Sequence, residues 1–188
     1  MPEMTVRPAA RSELALVHRE LIAVINSSAH YNDLFKAHET ARLNRTFLDN
    51  LHAIDPWHIM LVCLDGDVGG VIVSGPDCGT LFRYWSWVFP AYRQSRLSLF
   101  AMRVFDEHWD NGRFHKVSTY VRPENDVACT MLKRYGYEQT CLLRQHIFGQ
   151  DYLVYEKFFT RQDLPYDHGV NIGRLGRLRK RLAGLFGA

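Results

Sequence analysis

Residues 116–138, KVSTYVRPENDVACTMLKRYGYE, limit the fold more than any other stretch of the chain. Val117, Thr119 and Val121 give 116–121 the β-branched character of a strand. Arg122-Pro123-Glu124-Asn125 ends it, because Pro123 has no N–H to donate. Asn125 or Asp126 caps a following helix, in which Ala128, Met131, Leu132 and Tyr135 recur at helical spacing. Gly136 closes the helix, and the chain returns to strand. A strand, a helix and a strand in this order make a crossover, so the second half must contain a layered α/β unit.

The rest of the chain fits around that unit. MTVRPA at 4–9 is a short strand, and Ser12 with Glu13 opens a helix carrying Leu14, Leu16, Val17, Leu21, Val24 and Ile25. A second helix is expected over about Leu34–Leu51, closed by Asp55-Pro56. Residues 57–77 hold two apolar runs around Asp65-Gly66-Asp67, a hairpin signal. LFRYWSWVF at 81–89 is an aromatic strand that stops at Pro90, and 95–112 is helical with Asn111-Gly112 as its end. After Gly136 come two strands around Phe148-Gly149-Gln150-Asp151. The expected order is one strand, two helices, three strands, a helix, a strand, a helix and two strands, an α/β (α+β) chain.

A length of 188 residues, 47% hydrophobic and 23% charged, suits one globular domain with a sizeable core. No apolar stretch approaches the roughly 20 residues of a membrane-spanning helix. Met1-Pro2-Glu3-Met4 lacks the layout of a signal peptide, so cytoplasmic residence is expected. Cys63, Cys78, Cys129 and Cys141 form no CxxC pair, and the nine histidines form no HExxH, so no metal is expected. The net charge of +3 divides into +4 from Arg161 onward and −1 before it. That balance excludes a broad nucleic-acid-binding face on the body.

The division places a main domain at 1–160 and a tail at 161–188. In 173–188, Leu175, Leu178, Leu182 and Leu185 fall on one helical face among basic residues. Docking on the body, docking on a second subunit in a homodimer, and peripheral contact with an anionic membrane all suit such a helix.

This order of elements resembles the GCN5-related N-acetyltransferase superfamily over about residues 4–159, nearest its ribosomal-protein and small-molecule branch. The resemblance is carried by Val88-Phe89-Pro90-Ala91-Tyr92-Arg93, by Asn125-x-x-Ala128 with Gly136-Tyr137, and by Arg144 with Gly149-x-Asp151. It implies a mixed, mostly antiparallel sheet with helices on both faces, splayed at one parallel pair to admit acetyl-CoA or another acyl-CoA. Trp87, Val88 and Phe89 would then face the pantetheine arm and thioester, and Asn125 would hydrogen-bond the arm. Arg93, Gln94, Ser95, Arg96, Leu97 and Ser98 would meet the pyrophosphate at a helix N-terminus, where free N–H groups favour an anion.

Four positions depart from the family pattern. Arg96 and Ser98 stand where the phosphate loop carries small residues, Leu132 stands where some members carry a tyrosine acid, and Tyr120 where some carry a glutamate. Tyr120 is then the candidate acid or water-orienting group, with His38 and Glu39 on the acceptor side as candidate bases. The implied activity is acyl transfer to a primary amine on a small molecule or peptide. The departures also suit a binding module that kept the fold, and the tail suits an acyltransferase acting at a membrane surface on a lipid-linked or polymer amine.

Overall fold

Ile59–Leu64 is apolar at every position because it is buried on both faces, and this sets the architecture. Ile59, Leu61 and Cys63 point into one core, and Met60 and Val62 into another on the opposite side. A computed structural model describes residues 2–93 and 95–167. In chain order the elements are β1 (Met4–Pro8), α1 (Leu14–Ser27), α2 (Asp33–Arg42), α3 (Arg45–Ile54), β2 (Ile59–Leu64), β3 (Asp67–Asp77) and β4 (Thr80–Val88). Then follow α4 (Leu97–Trp109), β5 (Lys116–Val121), α5 (Asp126–Arg134), β6 (Glu138–Ile147) and β7 (Gln150–Phe158).

The strands form one seven-stranded sheet in the order β1-β2-β3-β4-β5-β7-β6. Every adjacent pair is antiparallel except β4–β5, which is parallel. Helices α1 and α3 cover one face through Leu14, Val17, Leu21, Ile25, Leu48 and Leu51. Helices α4 and α5 cover the other through Leu97, Met102, Phe105, Trp109, Cys129 and Leu132. The fold is the mixed, mostly antiparallel sheet, helical on both faces, that the sequence implied.

One expectation is corrected. The second helix is not continuous from 34 to 51 but breaks into α2 and α3 at Leu43 and Asn44. Asn44 caps the new helix by accepting from Phe47 N at 3.0 Å, as Asn32 caps α2 by accepting from Phe35 N at 2.9 Å. An asparagine side chain competes with the helical ladder for backbone donors, and apolar periodicity alone does not register that competition.

Residues 161–167 stay on the body. Asp163 N donates to Gly112 O at 3.2 Å, Asp167 N donates to Arg113 O at 2.7 Å, and the Arg113 guanidinium bridges Asp55 and Asp167. The basic amphipathic segment 173–188, with the dimer and membrane contacts expected of it, lies outside the described residues. No helix among the described residues is long and apolar enough to cross a membrane.

The core also contains a histidine whose titration is readable in stability. His58 is fully buried and stacks on Trp109 at 4.8 Å. Burial pushes its pKa down from 6.5 to about 4, against the pull of the Asp55 carboxylate. His108 is likewise pushed down to about 4 by burial. Below pH 6.5 the unfolded chain takes protons that the folded chain refuses, so stability falls as pH falls toward 4. From pH 6.5 to pH 5, urea unfolding should lose about 2 kcal/mol through His58 alone. His58→Phe should remove about half of that slope and leave the His108 share; an unchanged slope would contradict the assignment.

Candidate active site

The site begins where β4 and β5 part. Their parallel pairing is confined to Thr80 with Lys116, Leu81 with Val117 and Phe82 with Ser118. Just past the last pair, Thr119 Oγ1 donates to Arg83 O at 2.9 Å, so a side chain closes the apex where a ladder bond would otherwise stand. Beyond it the strands diverge. A bulge explains the divergence: the register of β3 on β4 shifts between Val73 and Ser74, leaving Tyr84 as the extra residue. Bulges bend and twist a strand. In keeping with this, the consecutive Tyr84 and Trp85 both pack toward the core of α1 and α3.

The register past the bulge decides which backbone groups face the gap. Phe89 N donates to Gly69 O at 2.8 Å, and Gly70 pairs with Val88 and Val71 with Trp87. In an antiparallel ladder, hydrogen-bonded pairs alternate with unbonded ones. Trp87 and Phe89 therefore direct their backbone groups at β3, while Ser86 and Val88 turn theirs to the open gap. Of Trp87, Val88 and Phe89, the residues expected to meet the thioester, Val88 alone presents its N–H to the gap.

A cavity of about 640 Å³ fills this gap and reaches both faces of the sheet. His30, Tyr31, Tyr84 and Trp85 line one side, and Ala101, Met102, Ala128, Met131 and Leu132 line the other. Trp87, Val88, Arg93, Ser98 and Asn125 all lie on its wall, as does Tyr120. Asn125 does two things at once. Its Oδ1 accepts from Ala128 N at 3.2 Å and caps α5, which leaves the amide NH2 for the cavity.

At the mouth, Ser95 Oγ donates to Tyr92 O at 2.6 Å and accepts from Leu97 N at 3.3 Å, ordering the turn that starts α4. Leu97 itself is buried in the core, so it can offer a ligand only its backbone. Arg93 and Arg96 are exposed beside that helix start. Phe89, Ser95, Arg96 and Leu97 do not line the cavity, and Gln94 lies outside the described residues.

A second, smaller cavity of about 320 Å³ adjoins on the side of α2 and the β6–β7 turn. Its wall is aromatic: Tyr31, Phe35, Tyr84, Trp85, Tyr120 and Tyr152. Tyr120 belongs to both cavities, edge-on to Phe82 at 5.2 Å and to His146 at 5.5 Å. His38 and Glu39 also line the smaller one. Glu39 is 4% exposed, and its oxygens are engaged by the Arg42 guanidinium and by Trp85 Nε1 at 2.9 Å. Arg42 lines the same chamber, so the pair brings no net charge to it, and the Glu39 lone pairs are largely occupied.

Burial, helped by the Glu39 charge, raises the pKa of Tyr31 to about 12, and burial raises that of Tyr152 further. Both phenols stay protonated donors. The Tyr152 hydroxyl is buried with no partner among the described residues. Tyr31, Tyr152 and Arg83 are site residues that sequence reasoning missed. Arg83 carried a signal, being the one charge inside the aromatic run 81–89.

Arg122 ties together the segments beside the smaller cavity. It is 7% exposed, donates to His30 O at 3.1 Å and to Asp151 O, and lies over the Tyr152 ring at 5.3 Å. Asn32 Nδ2 donates to Phe148 O at 3.0 Å, and Gln150 Nε2 donates to His30 O at 3.3 Å. The α1–α2 loop and the β6–β7 turn are thus tied across the gap. No group of three or more His, Cys, Asp or Glu among the described residues is placed to hold a metal.

A sheet split at its one parallel pair, with a helix N-terminus at the mouth, is the fold of the GCN5-related N-acetyltransferases. Solved structures agree. Ard1 from Thermoplasma volcanium matches with a TM-score of 0.65 at 19% identity, covering 84% of this chain and 99% of its own. The putative acetyltransferase yncA from Salmonella typhimurium, with acetyl-CoA, matches at 0.63 and 15% identity, covering 86% and 97%. Naa50 from Arabidopsis thaliana, in complex with the bisubstrate analogue CoA-Ac-MVNAL, matches at 0.61 and 16% identity, covering 83% and 99%. No protein-family model matches the chain, and neither does any curated protein.

Proposed function

We propose that the chain is an acyl-CoA-dependent N-acyltransferase, with acetyl transfer to a primary amine as its simplest reaction. The observation that carries this reading is the through-going cavity at the β4–β5 split, onto which Val88 presents an unpaired N–H. An acyl-CoA arm laid along β4 acts as the missing strand. Its phosphates fall toward the start of α4, where Arg93 and the first-turn N–H groups favour an anion. The fold neighbours solved with acetyl-CoA and with a CoA–peptide conjugate support the donor and an amine acceptor.

The amine approaches from the aromatic chamber. Its nitrogen attacks the thioester carbon, a C–N bond forms and the C–S bond breaks, and the sulfur leaves as a thiolate. Val88 N–H stabilises the negative charge that grows on the carbonyl oxygen. The ammonium form of the acceptor is met by the aromatic faces of the chamber. Its proton passes to water, with His38 on the same wall as the imidazole available to relay it. Tyr120, shared by the two cavities, stands where a proton can be returned to the thiolate. Holding amine and thioester together where the two cavities meet supplies most of the acceleration.

Thiol release from acetyl-CoA, followed across a panel of small amines and peptide N-termini, tests the reading. Turnover with an amine supports it; binding without turnover against any amine would favour the non-catalytic module. Asn125→Asp separates cap from contact at one position. An aspartate caps as well as an asparagine but brings no amide donor. Stability should therefore hold, while acetyl-CoA affinity should fall about tenfold. Equal affinity would remove Asn125 from the donor site.

A further inference from the structure

We infer that the donor site is built for an acyl group that itself carries a carboxylate, a short dicarboxylic acyl-CoA of the malonyl or succinyl class. The inference rests on the acyl-CoA reading above and names the donor within it. Its basis is Arg83, which is 4% exposed and lines the large cavity one residue beyond the last β4–β5 pair.

A guanidinium keeps its charge at any pH a protein meets, so it cannot escape burial by becoming neutral. Buried charges are accordingly paired, as a rule. Arg83 is an exception among the described residues, since no carboxylate forms an ion pair with it. Nη1 donates to Met102 Sδ at 2.7 Å, a weak acceptor, and the plane lies over Tyr137 at 5.1 Å and Phe105 at 5.5 Å. The other guanidinium N–H groups have no acceptor among the described residues and belong to a residue of the cavity wall. The nearby Asp106 carboxylate does not fill the gap. It already accepts from Tyr137 OH and from Lys157 Nζ, each at 2.7 Å, and Lys157 adds a second positive charge on that side.

The position fits a donor more than an acceptor. Leu81, Met102, Phe105 and Tyr137 belong to the core under α4 and α5, and Arg83 packs among them, away from the aromatic chamber. An arm running along β4 from the α4 mouth points its acyl end toward the apex. From Val88 to Arg83 the strand covers about 16 Å, and a dicarboxylic acyl chain leaving a thioester at Val88 approaches the long guanidinium side chain across that span. A terminal carboxylate there would receive two parallel N–H bonds in a dry site, the geometry guanidinium favours. Transfer proceeds as before, with the C–S bond exchanged for a C–N bond, and the carboxylate is carried unchanged into the amide. The product then bears a negative charge where the amine bore a positive one.

Calorimetric titration of the full chain with acetyl-CoA, butyryl-CoA and succinyl-CoA tests this, since butyryl and succinyl match in length and differ in charge. Succinyl-CoA should bind roughly 10- to 100-fold more tightly than butyryl-CoA, the range expected for hydrogen bonds to a charged group. Arg83→Met should bring the two together, and Arg83→Gln should do so while keeping polar donors in place should the methionine variant fail to fold. A wild-type ratio near one overturns the inference, as does a preference that survives loss of the guanidinium. Binding of acetyl-CoA with no succinyl preference would overturn the donor assignment alone. Failure of all three to bind would remove the acyl-CoA reading and this inference together.

Discussion

Val88→Pro should lower turnover about 100-fold or more while the fold persists, the loss expected on deleting one backbone donor to a developing oxyanion. Proline removes the N–H at the one β4 position among Trp87, Val88 and Phe89 that faces the split. The β3 ladder loses nothing, because Gly70 and Val88 form an unbonded pair. Proline costs no ladder hydrogen bond where a strand's N–H side is open, and Trp87 before it is already extended. Val88→Ala serves as the control, since it keeps the N–H and should keep most of the activity. Turnover of Val88→Pro close to wild type would show that the carbonyl is polarised elsewhere.

Arg122→Ala should destabilise the chain by about 3 kcal/mol, the cost of breaking a buried charge-assisted cluster. The lost guanidinium leaves Asp151 O without this donor, leaves His30 O with Gln150 Nε2 alone, and frees the face of Tyr152. It also unties the α1–α2 loop from β7, so the KM for the amine should rise more than the KM for acyl-CoA. Urea denaturation and the two KM values measure these effects. A loss below about 1 kcal/mol would place Arg122 among ordinary surface ion pairs.

Both predictions depend on features that the sequence shows unequally. Asn125 was readable twice over, as a cap after a proline stop and as a wall of the cleft, because both roles follow from its place at the end of β5. Val88 was readable as a strand end, but its separation from Phe89 was not. Which of two neighbours faces the gap depends on a bulge at Tyr84, and a single inserted residue reverses the alternation without altering composition. Glu39 reads as a free carboxylate on an amphipathic helix. Its occupied state comes partly from Arg42 on the next turn and partly from Trp85 on a distant strand, a contact no local pattern encodes. The depth of Arg83, though not its oddity as the one charge in an aromatic run, was hidden for the same reason: strand alternation assigns a face but not a depth. The split of the second helix was missed where Asn44 interrupts an otherwise regular apolar repeat. The overall layering was legible because two runs, β2 and the β5–α5 unit, leave few alternatives.

The central claim is that an acyl-CoA occupies the split between β4 and β5. Amide hydrogen exchange with and without acetyl-CoA, resolved to short peptides, tests it most directly. The account predicts slowed exchange in residues 84–89, where the Ser86 and Val88 amides gain a partner, and in 95–99 at the start of α4. Exchange in β1 and in β3 at 70–74 should be unchanged, because β1 is the far edge of the sheet and β3 is already paired between β2 and β4. Protection confined to other elements, or none at saturating acetyl-CoA, would contradict the account.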